Sequence, residues 1–143
     1  MTAQLLRATP DFFRRFKGPR RRNKFGAIAV TDPTTGQHFD STGEYVYFKE
    51  LQLRERTGDL SDLTLHPVAI ILAKDGTAPA ITYKLDYSYR DRHGALLWVD
   101  FKPRPLTARD RLVFKLWQHF GPGVLLIVGP RGKVLKQIEG AKE

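Results

Sequence analysis

Four side chains are of the types, and at the spacings, that can act on one reacting centre: Glu44, Asp86, Asp100 and Lys102. Asp100 and Lys102 stand two positions apart, so in an extended strand both project from one face. Asp86 lies on the preceding strand, and a loop centred near Arg92 and His93 sets it opposite either Val99 or Asp100. The second register makes two carboxylates close neighbours. Neighbouring carboxylates repel unless something positive lies between them. A hard divalent cation answers that, because Mg²⁺ takes one or two carboxylates together with water and phosphate oxygens. A cation so held activates water, polarises a phosphoryl group and stabilises the leaving oxygen. Lys102 then lies within reach to orient or activate the water, or to neutralise charge growing on the phosphate. Glu44 shares a helical face with Phe48 and Leu51 and can turn inward as a third carboxylate, directly or through water.

Each of these residues also has a plainer reading. Glu44 is the acidic half of a capping box, Ser41-Thr42-Gly43-Glu44. Asp86 can pair on the surface with Lys84 or Arg90. Asp100 and Lys102 can form a salt bridge on an exposed strand face, which contributes about 0–1 kcal/mol. The chemical reading rests on the set and on two helices covering the sheet that carries it. The tyrosines Tyr83, Tyr87 and Tyr89 and the tryptophans Trp98 and Trp117 read as packing groups. His38, His66, His93 and His119 have no metal-ligand spacing and receive no chemical role.

The positioning elements follow from periodicity and punctuation. Residues 24–30 form an apolar strand, and Asp32-Pro33-Thr34-Thr35-Gly36 turns the chain toward a returning strand at His38 and Phe39. The capping box opens a helix over residues 42–57, with Tyr45, Phe48, Leu51 and Gln52 at helical spacing and Gly58 as its stop. Residues 58–66 read as a polar turn. Residues 67–73 are nearly all apolar and predict a buried strand. Residues 81–89 alternate strictly, Ile81, Tyr83, Leu85, Tyr87 and Tyr89 against Thr82, Lys84, Asp86 and Ser88, which predicts one continuous strand. A hairpin loop at Arg90–Gly94 leads into a strand over residues 95–102, ended by Pro103 and Pro105. A second helix starts near Thr107, supported by Asp110, with Val113, Leu116, Trp117 and Phe120 as its apolar stripe. Gly121-Pro122-Gly123 ends it, a buried strand runs over Val124–Val128, and a last strand covers residues 133–138. The expected class is α/β, a mixed β-sheet flanked by two helices.

Composition bounds the function. A chain of 143 residues fits one domain, read as residues 24–143 behind an arm of residues 1–23. With no cysteine, disulfides, thiolate zinc sites and cysteine nucleophiles are excluded, and a reducing cytoplasm is the expected compartment. No apolar run approaches the length of a membrane span, and the N-terminus lacks a signal-peptide core, so no membrane partner is expected. Lys and Arg outnumber Asp and Glu 24 to 15, giving a net charge of +9, which favours polyanions, chiefly nucleic acid. The positive charge is densest in Arg14, Arg15, Lys17, Arg20, Arg21, Arg22 and Lys24. This basic N-terminal arm, with Phe12, Phe13 and Phe16 as anchors, is the expected grip on phosphates.

The order of these features resembles the PD-(D/E)XK nuclease superfamily: a helix glutamate, an aspartate on one strand, an acid-x-Lys on its hairpin partner, then a helix. Here the acid-x-Lys element reads Asp100-Phe101-Lys102. The runs Asn23-Lys24-Phe25-Gly26-Ala27, Phe39-Asp40-Ser41 leading to Glu44-Tyr45, and Leu63-Thr64-Leu65-His66-Pro67 are similar to a family of small phage and prophage nuclease-like proteins. The similarity spans residues 23–128. Leu85 stands before Asp86 where the superfamily often has proline, and Pro103 follows Lys102 where relatives often have glycine.

The resemblance implies a restriction-endonuclease-like core and a Mg²⁺-dependent phosphodiester hydrolase, with Mn²⁺ able to substitute. It implies Asp86, Asp100 and the Phe101 carbonyl as metal ligands, Glu44 as the helix carboxylate and Lys102 as the water-positioning base. Small phage members include Holliday-junction-resolving endonucleases of DNA recombination, which act as homodimers on branched DNA in the host cytoplasm. Two other readings stand beside this one. A non-catalytic nucleic-acid-binding module would share the charge but gain nothing from acids facing phosphates. A structural or assembly protein would bind DNA weakly and without dependence on Mg²⁺.

Overall fold

The computed structural model describes residues 28–141. The basic arm of residues 1–23, its cations from Arg14 to Arg22, and Lys24 at the head of the first expected strand lie outside the described residues. The chain divides into two compact units, Met1–Leu53 and Arg54–Glu143.

In the first unit, β1 (Val30–Thr31) pairs antiparallel with β2 (His38–Phe39), Val30 opposite Phe39. The connecting turn closes on Asp32. Its carbonyl accepts the Gly36 N–H at 2.8 Å, and its side chain accepts the Thr34 N–H at 2.8 Å. Gly36 supplies the left-handed backbone the turn needs, φ 73°. Helix α1 (Thr42–Arg56) begins as its sequence demands, with the Glu44 N–H donating to the Ser41 hydroxyl at 3.1 Å. Phe39 packs against Tyr45 and Phe48 with ring centroids 5.1 and 5.2 Å away.

The fully buried Asp32 carboxylate is held by Lys49 Nζ at 2.9 Å. Burial pushes the Asp32 pKa up, but the Lys49 ammonium and the Thr34 and Thr35 N–H groups pull it further down, so the net shift is downward. The same carboxylate, together with burial, pushes the Tyr45 hydroxyl up to about 12. A lowered carboxyl pKa contributes stability that is present above the unfolded value, about 3.9, and is lost as pH falls through the folded value. Acid titration of unfolding is therefore expected to show a stability loss below about pH 4 that is smaller in Asp32→Asn than in the native chain. Equal acid sensitivity in the two proteins would contradict it.

The second unit is built on a five-stranded mixed sheet. In sheet order it comprises β3 (Ser61–Leu65), β6 (Tyr87–Arg90), β7 (Leu96–Phe101), β8 (Val124–Val128) and β9 (Val134–Glu139). All neighbours are antiparallel except β7 and β8, which run parallel with Phe101 opposite Val128. A parallel pair needs a crossover, and α2 (Ala108–Phe120) supplies it. A separate two-stranded ribbon pairs β4 (Val68–Leu72) with β5 (Ile81–Lys84). Helix α2 packs over this arrangement through Phe114 and Trp117, against Leu125, Ile127 and Ile138 of the sheet and Ala69 and Ile71 of the ribbon.

Trp98 and Trp117 meet edge to face at 5.9 Å, and their indole N–H groups donate to Pro122 O at 3.0 Å and Gly123 O at 2.9 Å. The tryptophans thus combine packing with satisfaction of two turn carbonyls. Among the described residues no helix is long and apolar enough to cross a membrane.

Four local expectations are corrected. Residues 61–65, read as turn, form the edge strand β3. It carries a bulge in which Asp62, φ 55°, interrupts the pairing between Ser61–Arg90 and Thr64–Ser88. The strand expected to be buried at residues 67–73 is half exposed. Val68 and Ile70 are 56% and 55% exposed, because the β4–β5 ribbon covers the core with one face only. The expected continuous strand at residues 81–89 breaks at Leu85 and Asp86, so its halves join different sheets. The apolar stripe of α2 is rotated, with Phe114 buried and Phe120 exposed, because Trp117 and Phe114 point at the sheet while the helix end turns outward at Gly121.

Candidate metal centre

The break in the 81–89 segment is matched by a break in the segment it pairs with. The chain turns between β3 and β4 at His66 and Pro67, and between β5 and β6 at Leu85 and Asp86. Two backbone bonds join the turns: His66 N–H to Asp86 O and Leu85 N–H to Pro67 O, each 2.9 Å. Proline disfavours the right-handed helical region for the residue before it. His66 adopts a left-handed backbone instead, φ 51°, and Pro67 has no N–H to continue the ladder. Asp86 therefore sits in a bend, not on a strand as the alternation predicts.

The hairpin register resolves the choice between Val99 and Asp100. Tyr87 pairs with Val99, so one position further on Asp86 faces Asp100. Asp86 Oδ2 accepts the Phe101 N–H at 2.7 Å, which ties the bend to the end of β7. Asp100 is the penultimate residue of β7 and is buried. Its Oδ2 accepts a hydrogen bond from the Tyr83 hydroxyl and lies 3.1 Å from Lys102 Nζ. The pair is not the exposed surface bridge that its strand position allows, since both side chains are largely shielded, 6% and 15% exposed.

A third acid completes the cluster. Asp110 Oδ1 lies 3.3 Å from Lys102 Nζ, and its Oδ2 accepts from Arg104 Nη1 at 3.0 Å and from the Thr107 N–H at 2.8 Å. The Asp110 N–H donates in return to Thr107 Oγ1 at 3.2 Å, a capping box at the start of α2. The helix cap and the charge cluster thus share one carboxylate.

The electrostatics of these groups are coupled. Burial raises the Tyr83 pKa first, and Asp100, Asp86 and Asp110 push it up further, so the phenol stays protonated and remains a donor to Asp100. Burial alone would lower the Lys102 pKa, but the charges and hydrogen bonds of Asp100 and Asp110 outweigh it, and the ammonium is favoured. Burial raises the Asp110 pKa, yet the Thr107 backbone, Arg104 and Lys102 hold it well below the carboxylate range.

Asp86, Asp100 and Lys102 are therefore brought to one place, at the C-terminal end of β7 beside the end of β8, where the Lys102 N–H donates to Val128 O at 2.8 Å. Loops beyond the carboxyl ends of parallel strands are where α/β sheets hold ligands. Phe101 is buried between the two acid-and-lysine positions. Glu44 is buried in the first turn of α1 and belongs to the first unit.

Sequence reading missed three members. Tyr83 reads as a packing ring, and the alternation sets it on the face opposite Asp86, so nothing in the sequence signals its bond to Asp100. The sequence marks Asp110 only as a helix start and gives no signal for Arg104. A ring nitrogen of His66 and a carboxylate oxygen of Asp86 lie within 4.8 Å of one another, and nothing in the spacing of the histidines signals this.

A basic groove carries no local sequence signal. Arg111 and Lys115 of α2 and Lys136 of β9 line a groove of about 510 Å³, together with Phe114, Gln118, Gln137, Ile138 and the acidic Glu139. No family model matches the chain, and no curated protein matches it in sequence.

Proposed function

We propose that the chain is a metal-dependent endonuclease with a restriction-endonuclease-like core, hydrolysing DNA phosphodiester bonds, with branched DNA as the favoured substrate and a homodimer as the acting form. The observation that carries this reading is the meeting of Asp86, Asp100 and Lys102 at the end of β7. Burying charge is costly, and replacing a buried ion pair by apolar groups is often neutral or stabilising. A cluster in which Asp86, Asp100 and Asp110 all press on one phenol is a poor device for stability alone. It is a good device for chemistry on phosphate.

The donor set fits a hard divalent cation. Asp86 and Asp100 would hold Mg²⁺ or Mn²⁺ through carboxylate oxygens, with the Phe101 carbonyl as a further oxygen donor. Bound there, the cation would supply Lewis acidity to the phosphoryl group and lower the pKa of a water.

The chain's own groups do the rest. The Tyr83 hydroxyl and the Phe101 N–H orient Asp100 and Asp86. Lys102 enters as an ammonium, so it donates to the water or to a phosphate oxygen and offsets charge that builds in the transition state. The basic groove along Arg111, Lys115 and Lys136 supports a polyanionic substrate, as does the positive charge of the sequence of residues 1–23.

The test is cleavage of an end-labelled four-way junction and its matching linear duplex, in Mg²⁺ and in EDTA. Cleavage is expected only with Mg²⁺, and faster on the junction. Binding of both substrates without cleavage in any divalent cation, on DNA and on RNA, would leave the non-catalytic binding module as the function.

A further inference from the structure

We propose that His66 supplies an imidazole nitrogen to the cation held by Asp86, which makes the centre a mixed nitrogen–oxygen site that prefers a first-row transition metal to Mg²⁺. The inference rests on the metal-dependent reading above and goes beyond it by choosing the class of metal.

Geometry is the first support. A His66 ring nitrogen and an Asp86 carboxylate oxygen lie within 4.8 Å of one another. Ligands bonded to one ion at roughly 2.0–2.2 Å are separated by no more than about 4.4 Å, so the pair needs little or no movement to share an ion. The second support is that the spacing is built into the backbone. The His66 N–H donates to the Asp86 carbonyl, and Leu85 and Pro67 repeat the bond one step along, so the two side chains leave a pair of turns that are fastened together. The Phe101 N–H then holds Asp86 from the other side. His66 is half-buried and occupies a left-handed backbone, φ 51°.

The chemistry decides the metal. Imidazole is the commonest protein ligand for transition metals, whereas Mg²⁺ is held by oxygen and sheds its waters reluctantly. A centre of carboxylates alone would show little preference of this kind.

Mn²⁺ is the probe, because it is paramagnetic and binds oxygen and nitrogen donors alike. Pulsed electron paramagnetic resonance is measured on Mn²⁺ added to the full chain, and Mn²⁺ and Mg²⁺ affinities are measured by titration calorimetry. Native protein, His66→Gly and Asp86→Asn are compared. Glycine accepts φ 51° without strain, and asparagine keeps an acceptor for the Phe101 N–H, so neither change should unfold the turn.

The native protein is expected to show ¹⁴N modulation from a directly bound imidazole. His66→Gly should lose that modulation and bind Mn²⁺ about 10–100-fold more weakly, with a smaller loss for Mg²⁺. If Mn²⁺ binds in a manner weakened by Asp86→Asn but the native spectrum lacks ¹⁴N modulation, the nitrogen ligand is wrong and the metal-dependent reading survives. Modulation that persists in His66→Gly overturns the proposal in the same way. If Asp86→Asn leaves Mn²⁺ binding unchanged, both this inference and the metal centre at Asp86 fall.

Discussion

Lys102→Ala is expected to slow Mg²⁺-dependent cleavage of branched DNA by about 10²–10³-fold while leaving DNA affinity within a few-fold of native. The size follows from where the charge sits. Lys102 Nζ is shielded from solvent between Asp100 and Asp110, and those two acids keep it protonated. A fixed ammonium in a site with little water acts on transition-state charge far more strongly than one in bulk solvent. On the proposed function the grip on DNA would come from many cations, so loss of one buried charge should scarcely change it.

Single-turnover rates and equilibrium binding on the same substrate separate the two quantities. Lys102→Arg keeps the charge but spreads it over a planar fork that does not match the spot filled by an ammonium, so it should recover only part of the rate. A variant that binds and cuts like the native protein would remove Lys102 from the chemistry and leave its ion pairs as purely structural.

Asp110→Ala is the second large effect, and it should fall on stability. The Asp110 carboxylate accepts from the Thr107 N–H, pairs with Arg104 and Lys102, and caps α2. Removing it abandons two largely buried cations and an uncapped helix start together. Breaking a buried pair from one side costs about 3–5 kcal/mol. Loss of the reciprocal cap acts in the same direction. For a chain of this length each kcal/mol lowers the melting temperature by about 2–4 °C, so a fall of roughly 6–20 °C is expected in a thermal melt.

Asp100→Asn should behave differently. The amide oxygen still accepts from Tyr83, so cleavage is expected to fail with a much smaller change in melting temperature. A stability loss in Asp100→Asn equal to that in Asp110→Ala would mean that both acids serve the fold.

Several elements were legible because their signals are local. The Ser41 hydroxyl and the Thr107–Asp110 pair open their helices as the capping patterns predict, since a cap is decided by residues within one turn. The turn at Asp32–Gly36 and the hairpin after Arg90 were also readable, from residues that suit turn geometry. The same-face relation of Asp100 and Lys102 follows from strand period alone, and their ion pair bears it out.

The segment at residues 81–89 marks the limit of such reading. Its perfect alternation promises one strand, but alternation states only which side each residue faces, not how long the pairing lasts. Pro67, in the partner segment, lacks the N–H that a regular ladder would use, and the chain bends at Asp86. That bend carries Asp86 to the Phe101 N–H and brings His66 beside it.

By itself, then, the sequence determined the helices, most strand positions, the basic charge and the acid-x-Lys element, because each depends on residues a few positions apart. Only the tertiary structure decided which register sets Asp86 against Asp100, that Asp110 and Arg104 close the cluster around Lys102, and that Tyr83 donates into it rather than merely packing. Those relations join residues from different strands and from the crossover helix. They are fixed by ladder pairing and by the need to satisfy buried charge, and neither leaves a period in the chain.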